Sequence, residues 1–359
     1  MYQRLRIRDP MSTKGEDRFD STEGSPWMRP FVPRRFLSNG HLQTIVGNFL
    51  PRTDSLPEPE IQLIEVEAAT SSYPASFVLC HCHWQPAEVR SERLTMVIVH
   101  GLEGSSTSPY VIGNSVRAWK AGCNVVRMNM RSCGAGQDLS PTIYHAGRSG
   151  DVATVMAEMA RTHLIRSFAL VGYSMGGNLV LKLAGELGAA PPAYLKAVVG
   201  VSPLMDLVAS SAAVHEPQNL LYATRFLADL IKHIRHQAEL YPDLYSAEGL
   251  NKIRTLRQFD EEIVARYGGF AGADDYHQRA ASSNWVQDIT VPTLILQALD
   301  DPFIRMTPET RAKLLANPHV RLVETRHGGH CAFLSPDHGD EGFWAERTLL
   351  DFLLVTVEG

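Results

Sequence analysis

The chain has 359 residues, 44% of them apolar and 20% charged, with a net charge of −5 at pH 7. That length and composition support a large core and exclude a wholly disordered chain. The acidic balance excludes a nucleic-acid binder resting on a broad basic face. Five cysteines, an odd number, make no disulfide framework and point to a reducing, cytoplasmic setting. No apolar run reaches the ~18 residues of a membrane span; the nearest, Leu349–Val357, is interrupted by Asp351 and Thr356. The first residues lack the apolar stretch of a secretory signal.

Residues 1–25 are polar and aperiodic, and are expected to form a tail. Residues 26–60 carry Pro26, Pro30, Pro33, Pro51, Pro57 and Pro59, which predicts a segment wrapped over a surface without long helices. Ile61–Glu67 and Ala75–Cys82 read as two antiparallel strands. Short apolar runs then follow at Leu94–Val99, Cys123–Met128, Phe168–Tyr173, Ala197–Val201, Thr293–Ala298 and Val320–Thr325. Between them lie helical stretches at Tyr110–Ala121, Ser149–Leu164, Met175–Leu187, Thr310–Leu315 and Phe343–Val355. Continuous apolar strands alternating with helices predict an α/β fold, a mostly parallel, doubly wound sheet covered on both faces. The rhythm breaks after Ser202, where Asn219–Leu240 and the charged run Ser246–Tyr267 read as helical. Residues 61–205 and 286–359 are therefore expected to form the core and 206–285 a helical lid over the C-terminal strand ends.

The sharpest motif is Gly172-Tyr173-Ser174-Met175-Gly176-Gly177. It matches Gly-x-Ser-x-Gly, follows an apolar strand and opens a helix with Leu179, Leu183 and Leu187 on one face. A tight strand-to-helix turn thrusts Ser174 above the sheet, which makes it the candidate nucleophile. A serine needs a base. His330 follows the last strand in a loop loosened by Gly328 and Gly329, with His327 its nearest rival. A carboxylate must orient that imidazole: Asp300 and Asp301 both follow the Thr293–Ala298 strand at its C-terminal end, and Asp206 is a third option. Backbone N–H groups of Met175 and Leu102 are the expected oxyanion donors. His100 is read as a residue that holds the Leu102 loop.

Together with His100-Gly101-Leu102-Glu103-Gly104, Ala298-Leu299-Asp300-Asp301-Pro302 and Gly328-Gly329-His330, this motif resembles the α/β-hydrolase superfamily. Asn39-Gly40-His41-Leu42-Gln43-Thr44 and Tyr144-His145-Ala146-Gly147 are similar to its YheT-like group, AB-hydrolase family 4. One departure is Arg131-Ser132, where that group usually shows Arg-Gly. The resemblance implies the α/β-hydrolase fold, and favours Asp301 as the acid because it precedes Pro302 and an apolar pair. It also implies a carboxylic-ester hydrolase needing no cofactor, with acyl transfer to short alcohols as the alternative. An acyl-enzyme on Ser174 with a short- to medium-chain ester as small-molecule partner is the expected reaction; a non-catalytic binding protein on the same scaffold is the third reading.

Other strings lead elsewhere. Cys80-His81-Cys82-His83 alternates across a strand, so its four side chains cannot converge on a metal. His41 is expected to brace the wrapping segment. Arg148 and Asp151 read as a helix start. Oligomeric state is not legible.

Overall fold

A computed structural model describes residues 27–337 and 341–358; the tail expected at 1–25 lies outside them. Among the described residues eight strands form one sheet: β1 (Glu60–Glu67), β2 (Ser76–His83), β3 (Thr95–Val99), β4 (Asn124–Met128), β5 (Phe168–Tyr173), β6 (Leu195–Val201), β7 (Thr293–Ala298) and β8 (Val320–Thr325). Their order is β1-β2-β4-β3-β5-β6-β7-β8. β1 pairs with β2 and β2 with β4 antiparallel, and every later pairing is parallel.

Strand alternation divides the core in two. Val97, Val99, Phe168 and Leu170 face one layer, where helices Ser149–His163 and Met175–Leu187 dock through Val155, Met159, Leu179 and Leu183. Met96, Ile98, Val171 and Tyr173 face the other, under helices Pro109–Lys120 and Trp344–Glu358. β3 and β5 are buried along their whole length, which is why they read as unbroken apolar runs. On β2, Cys80 and Cys82 enter the first layer, while His81 and His83 point to the opposite face.

Two departures from expectation are instructive. The Pro-rich segment contains a helix, Gly40–Phe49, in the window between Pro33 and Pro51. Asn39 caps it, its Oδ1 accepting from the N–H groups of His41 and Leu42 at 3.0 and 3.2 Å. The residues between β6 and β7 include helices Leu207–Val214, Leu220–Leu240 and Ala273–Ala280, but Ser246–Tyr267 is no single helix. It breaks into short pieces, among them Leu256–Phe259 and the π-helical stretch Asp260–Ala265.

Asp151 does more than begin a helix. Arg131 donates to both its carboxylate oxygens, at 2.7 and 2.6 Å, and also pairs with Glu67. The Arg131 and Asp151 side chains are 2% and 7% exposed, so loss of Arg131 leaves a buried carboxylate without its hydrogen-bonded partner. Next door, Ser132 takes a φ of 52°, the left-handed backbone that a glycine adopts without strain. Its Oγ lies 2.9 Å from His233 Nε2, a contact that no glycine could make. Arg131→Ala is expected to lower the free energy of unfolding by about 3 kcal/mol or more; a denaturant titration showing less than 1 kcal/mol (about the worth of an exposed pair) would refute a desolvated pair.

Candidate active site

β5 ends on Tyr173, and Ser174 turns the chain into helix Met175–Leu187 with φ 54° and ψ −115°. That backbone is strained for a residue with a Cβ. It is held from both sides: the Ser174 N–H donates to Val201 O at 2.9 Å, and its carbonyl accepts from Leu204 N at 3.0 Å. Side chains are excluded around it. A Cβ on Gly172 would lie 2.2 Å from Gly176 O, and one on Gly176 would lie 2.3 Å from Val99 O.

His330 and Asp301 meet beside this turn. His330 Nδ1 is 2.8 Å from Asp301 Oδ2, and the Asp301 side chain is fully buried. The other carboxylate oxygen accepts from Phe303 N and Ile304 N, at 3.1 and 2.9 Å. These bonds orient the carboxylate toward the ring. Asp300 turns the other way: its Oδ1 accepts from Gly329 N at 2.9 Å, and Oδ2 is 3.5 Å from the half-exposed His327. Asp206 accepts from Thr307 N and Thr310 Oγ1, at 2.9 and 2.8 Å, and braces the start of helix Pro308–Ala316.

Ser174 and His330 line one cavity, yet among the described residues no hydrogen bond joins Ser174 Oγ to the ring. His330 Nε2 instead lies 3.5 Å from Cys331 Sγ. Burial pulls the His330 imidazole toward its neutral form; the Cys331 sulfur and the Asp301 carboxylate, through charge and hydrogen bonds, raise it above the ordinary histidine value.

The loop after β3 brings Leu102 to the same cavity. His100 is fully buried, its Nδ1 2.8 Å from Gly101 O, while its Nε2 accepts from Met130 N at 3.0 Å. Burial pushes this imidazole down to about 4, so it is a neutral brace. Gly101 N is taken by Tyr110 OH at 2.8 Å. Glu103, at φ 51°, is tied to Tyr144 and to His233. The N–H groups of Leu102 and Met175 meet no acceptor among the described residues, and both residues line the cavity. Two unengaged donors beside the Ser174 hydroxyl are of the kind that can hold a developing oxyanion.

Sequence reading missed the residues that seat the histidine loop. Thr44 Oγ1 accepts from His330 N at 2.8 Å and donates to Gly40 O at 2.7 Å. Gln43 is fully buried; its amide donates to Leu37 O and Leu334 O and accepts from Leu334 N. A Cβ on Gly40 would sit 1.9 Å from Asp300 O. The Asn-Gly-His-Leu-Gln-Thr string is thus a clamp on the loop that carries His330. His41 stacks on Tyr222 with ring centroids 5.8 Å apart and joins the clamp to helix Leu220–Leu240. The string itself was the available signal; its partner, about 290 residues away, was not.

The cavity holds about 370 Å³. Leu204, Leu207, Val214, Phe226, Phe303 and Ile304 supply much of its wall. Among the described residues no cluster of histidine, cysteine and carboxylate side chains could hold a metal ion, and no helix is long and apolar enough to cross a membrane.

Comparison with known proteins agrees with this geometry. A family profile described as the alpha/beta hydrolase fold matches residues 95–337. YheT of Escherichia coli (strain K12) is 31% identical over 331 residues, which is 91% of this chain and 94% of that protein. The medium-chain fatty acid ethyl ester synthase/esterase 2 of Saccharomyces cerevisiae is 26% identical over 293 residues, 74% of this chain and 63% of the yeast protein. The crystal structure of the 2,6-dihydroxy-pseudo-oxynicotine hydrolase superposes with a TM-score of 0.54 at 16% identity, covering 88% of this chain and 71% of that one. With its eight-stranded sheet, serine turn and matched sequence, the chain belongs to the α/β-hydrolase fold family, in its YheT-like group.

Proposed function

We propose that this chain cleaves carboxylic esters of short to medium acyl length through an acyl-enzyme on Ser174. The observation that carries the reading is the buried Asp301–His330 pair, 2.8 Å apart, opening on the cavity that holds the strained Ser174. His330 takes the serine proton as Oγ attacks the ester carbonyl. Asp301 holds the imidazole with Nδ1 protonated and stabilises the imidazolium. The oxyanion lies against the N–H groups of Leu102 and Met175. His330 then gives its proton to the departing alcohol, and water, activated by the same ring, releases the acid. The apolar wall favours an acyl chain over a charged group. The helices of 206–285 act as a lid on that chain. The five free thiols fit a reducing, cytoplasmic setting.

An alcohol in place of water turns the same acyl-enzyme toward transfer, and the yeast relative's name carries both reactions. Product analysis with added ethanol separates them. A binding protein on the same scaffold has no use for a strained serine beside a buried His–Asp pair.

Ser174→Ala is expected to lower kcat on p-nitrophenyl butyrate by about 10⁴-fold or more. Unchanged turnover would remove the assignment. Because neutral His330 is the active form and its pKa is raised, kcat/KM climbs with pH along a limb above 6.5. Cys331→Ala removes one of the two raising groups, so a pH–rate profile is expected to show this limb moved to lower pH. An unmoved limb would mean that Cys331 does not act on the ring. Thr44→Val leaves the His330 N–H without its acceptor. It is expected to lower kcat on the order of 10-fold, with KM little changed, by displacing the base; a change confined to KM would contradict the clamp.

A further inference from the structure

The residues between β6 and β7 place an ionisable pair in the cavity wall, away from Ser174's own partners. Asp260 and His277 both line the cavity. His277 Nε2 is 2.7 Å from Asp260 Oδ2, and the two side chains are 2% and 18% exposed. His277 is therefore a buried backing group, and the carboxylate is the part that faces open space. Among the described residues nothing donates to Asp260 Oδ1, and that oxygen is absent from the sealed atoms of the interior. Burial pushes the Asp260 carboxyl up, with His277 and Arg257 pulling it back. Asp260 also opens the π-helical stretch Asp260–Ala265, a rare geometry that is frequent at functional sites.

A carboxylate oxygen that faces the cavity with no protein donor is open to a donor from a ligand, and an apolar group laid against it would cost its solvation. An acyl tail seated there would strand it, so the tail belongs on the Leu207, Val214 and Phe303 side. The alcohol half of the ester then meets Asp260. A cationic group is the poorer fit, because Arg257 already shares the carboxylate's field.

We propose that Asp260, held by His277, accepts a hydrogen bond from a free hydroxyl on the alcohol half of the substrate. The site thereby selects esters of polyols over esters of simple alcohols. This rests on the esterase reading above and adds a specificity residue to it.

The test compares kcat/KM for glyceryl monobutyrate and ethyl butyrate. In Asp260→Asn an amide donor can replace the acceptor, so the glyceryl-to-ethyl ratio is expected to fall about tenfold, mostly through KM. A ratio unchanged from the parent overturns the proposal, whether or not both rates fall. Preference for butyrylcholine over both neutral esters in the parent also overturns it, in favour of a cation site. If Asp260→Asn does not fold, Asp260→Glu displaces the acceptor by one methylene and is read by the same ratio. Failure of the esterase reading is distinct, since the parent would then cleave none of these esters. In that event Kd for glyceryl monobutyrate on Ser174→Ala, with and without Asp260→Asn, decides: about tenfold weakening supports the anchor, and equal Kd overturns it.

Discussion

Ser174 sits at φ 54° because strand β5 and the helix after it pass each other at backbone distance. With any side chain at 172 or 176 the crossing would open, since a Cβ there would meet backbone oxygen at 2.2 and 2.3 Å. The strain of the turn is about 1–3 kcal/mol, and two features hold it. The strand is buried along its whole length and the helix from Met175 to Gly185, and the Ser174 backbone is bonded to Val201 and Leu204. Everything else in the site is arranged around where this one turn puts its hydroxyl.

The base is positioned by a different principle. Its loop contains Gly328 and Gly329 at positive φ, followed by Cys331 at φ 62°, and such a loop has little intrinsic stiffness. Rigidity comes from outside. Asp300 holds Gly329 N, Thr44 holds His330 N, Ser202 Oγ accepts from Cys331 N at 3.1 Å, and Gln43 closes over Leu334. Adjacent aspartates thus divide the work: Asp301 orients the ring and Asp300 the backbone beneath it. A helix from the start of the chain completes the site by backbone contact.

What could be read from the sequence follows the range of the interactions. Strands β3 to β8 are apolar runs because both faces are covered, so one-dimensional pattern sufficed for them. Ser174 was legible because its turn is built from neighbours in the chain. Asp301 and His330 were legible by order after β7 and β8, but the choice between Asp300 and Asp301 needed the rotation of one residue, which pattern does not carry. The Gly40–Phe49 helix was hidden because proline count describes a segment and helix formation depends on the gap between prolines. Asp260 and His277 were hidden too: they lie 17 positions apart on two separate short helical pieces, and only the fold makes them a pair.

Among the described residues the direct link between the candidate nucleophile and the candidate base is not made. His330 Nε2 faces Cys331 Sγ at 3.5 Å, and Ser174 Oγ stands free in the cavity. A thiol is a weak hydrogen-bond partner, so exchanging sulfur for a serine hydroxyl loses little. The Asp301 hydrogen bond lies on the opposite ring nitrogen and can persist while Nε2 changes partner. Such bonds are commonly long before substrate arrives and tighten in the complex. In the proposed reaction a substrate carbonyl drawn onto the N–H groups of Leu102 and Met175 would bring its carbon over Ser174, and the chain half of the ester would fill the cavity lined by Leu204, Leu207 and Phe303. That reaction would exclude water from the gap and leave the serine hydroxyl one strong acceptor, the imidazole.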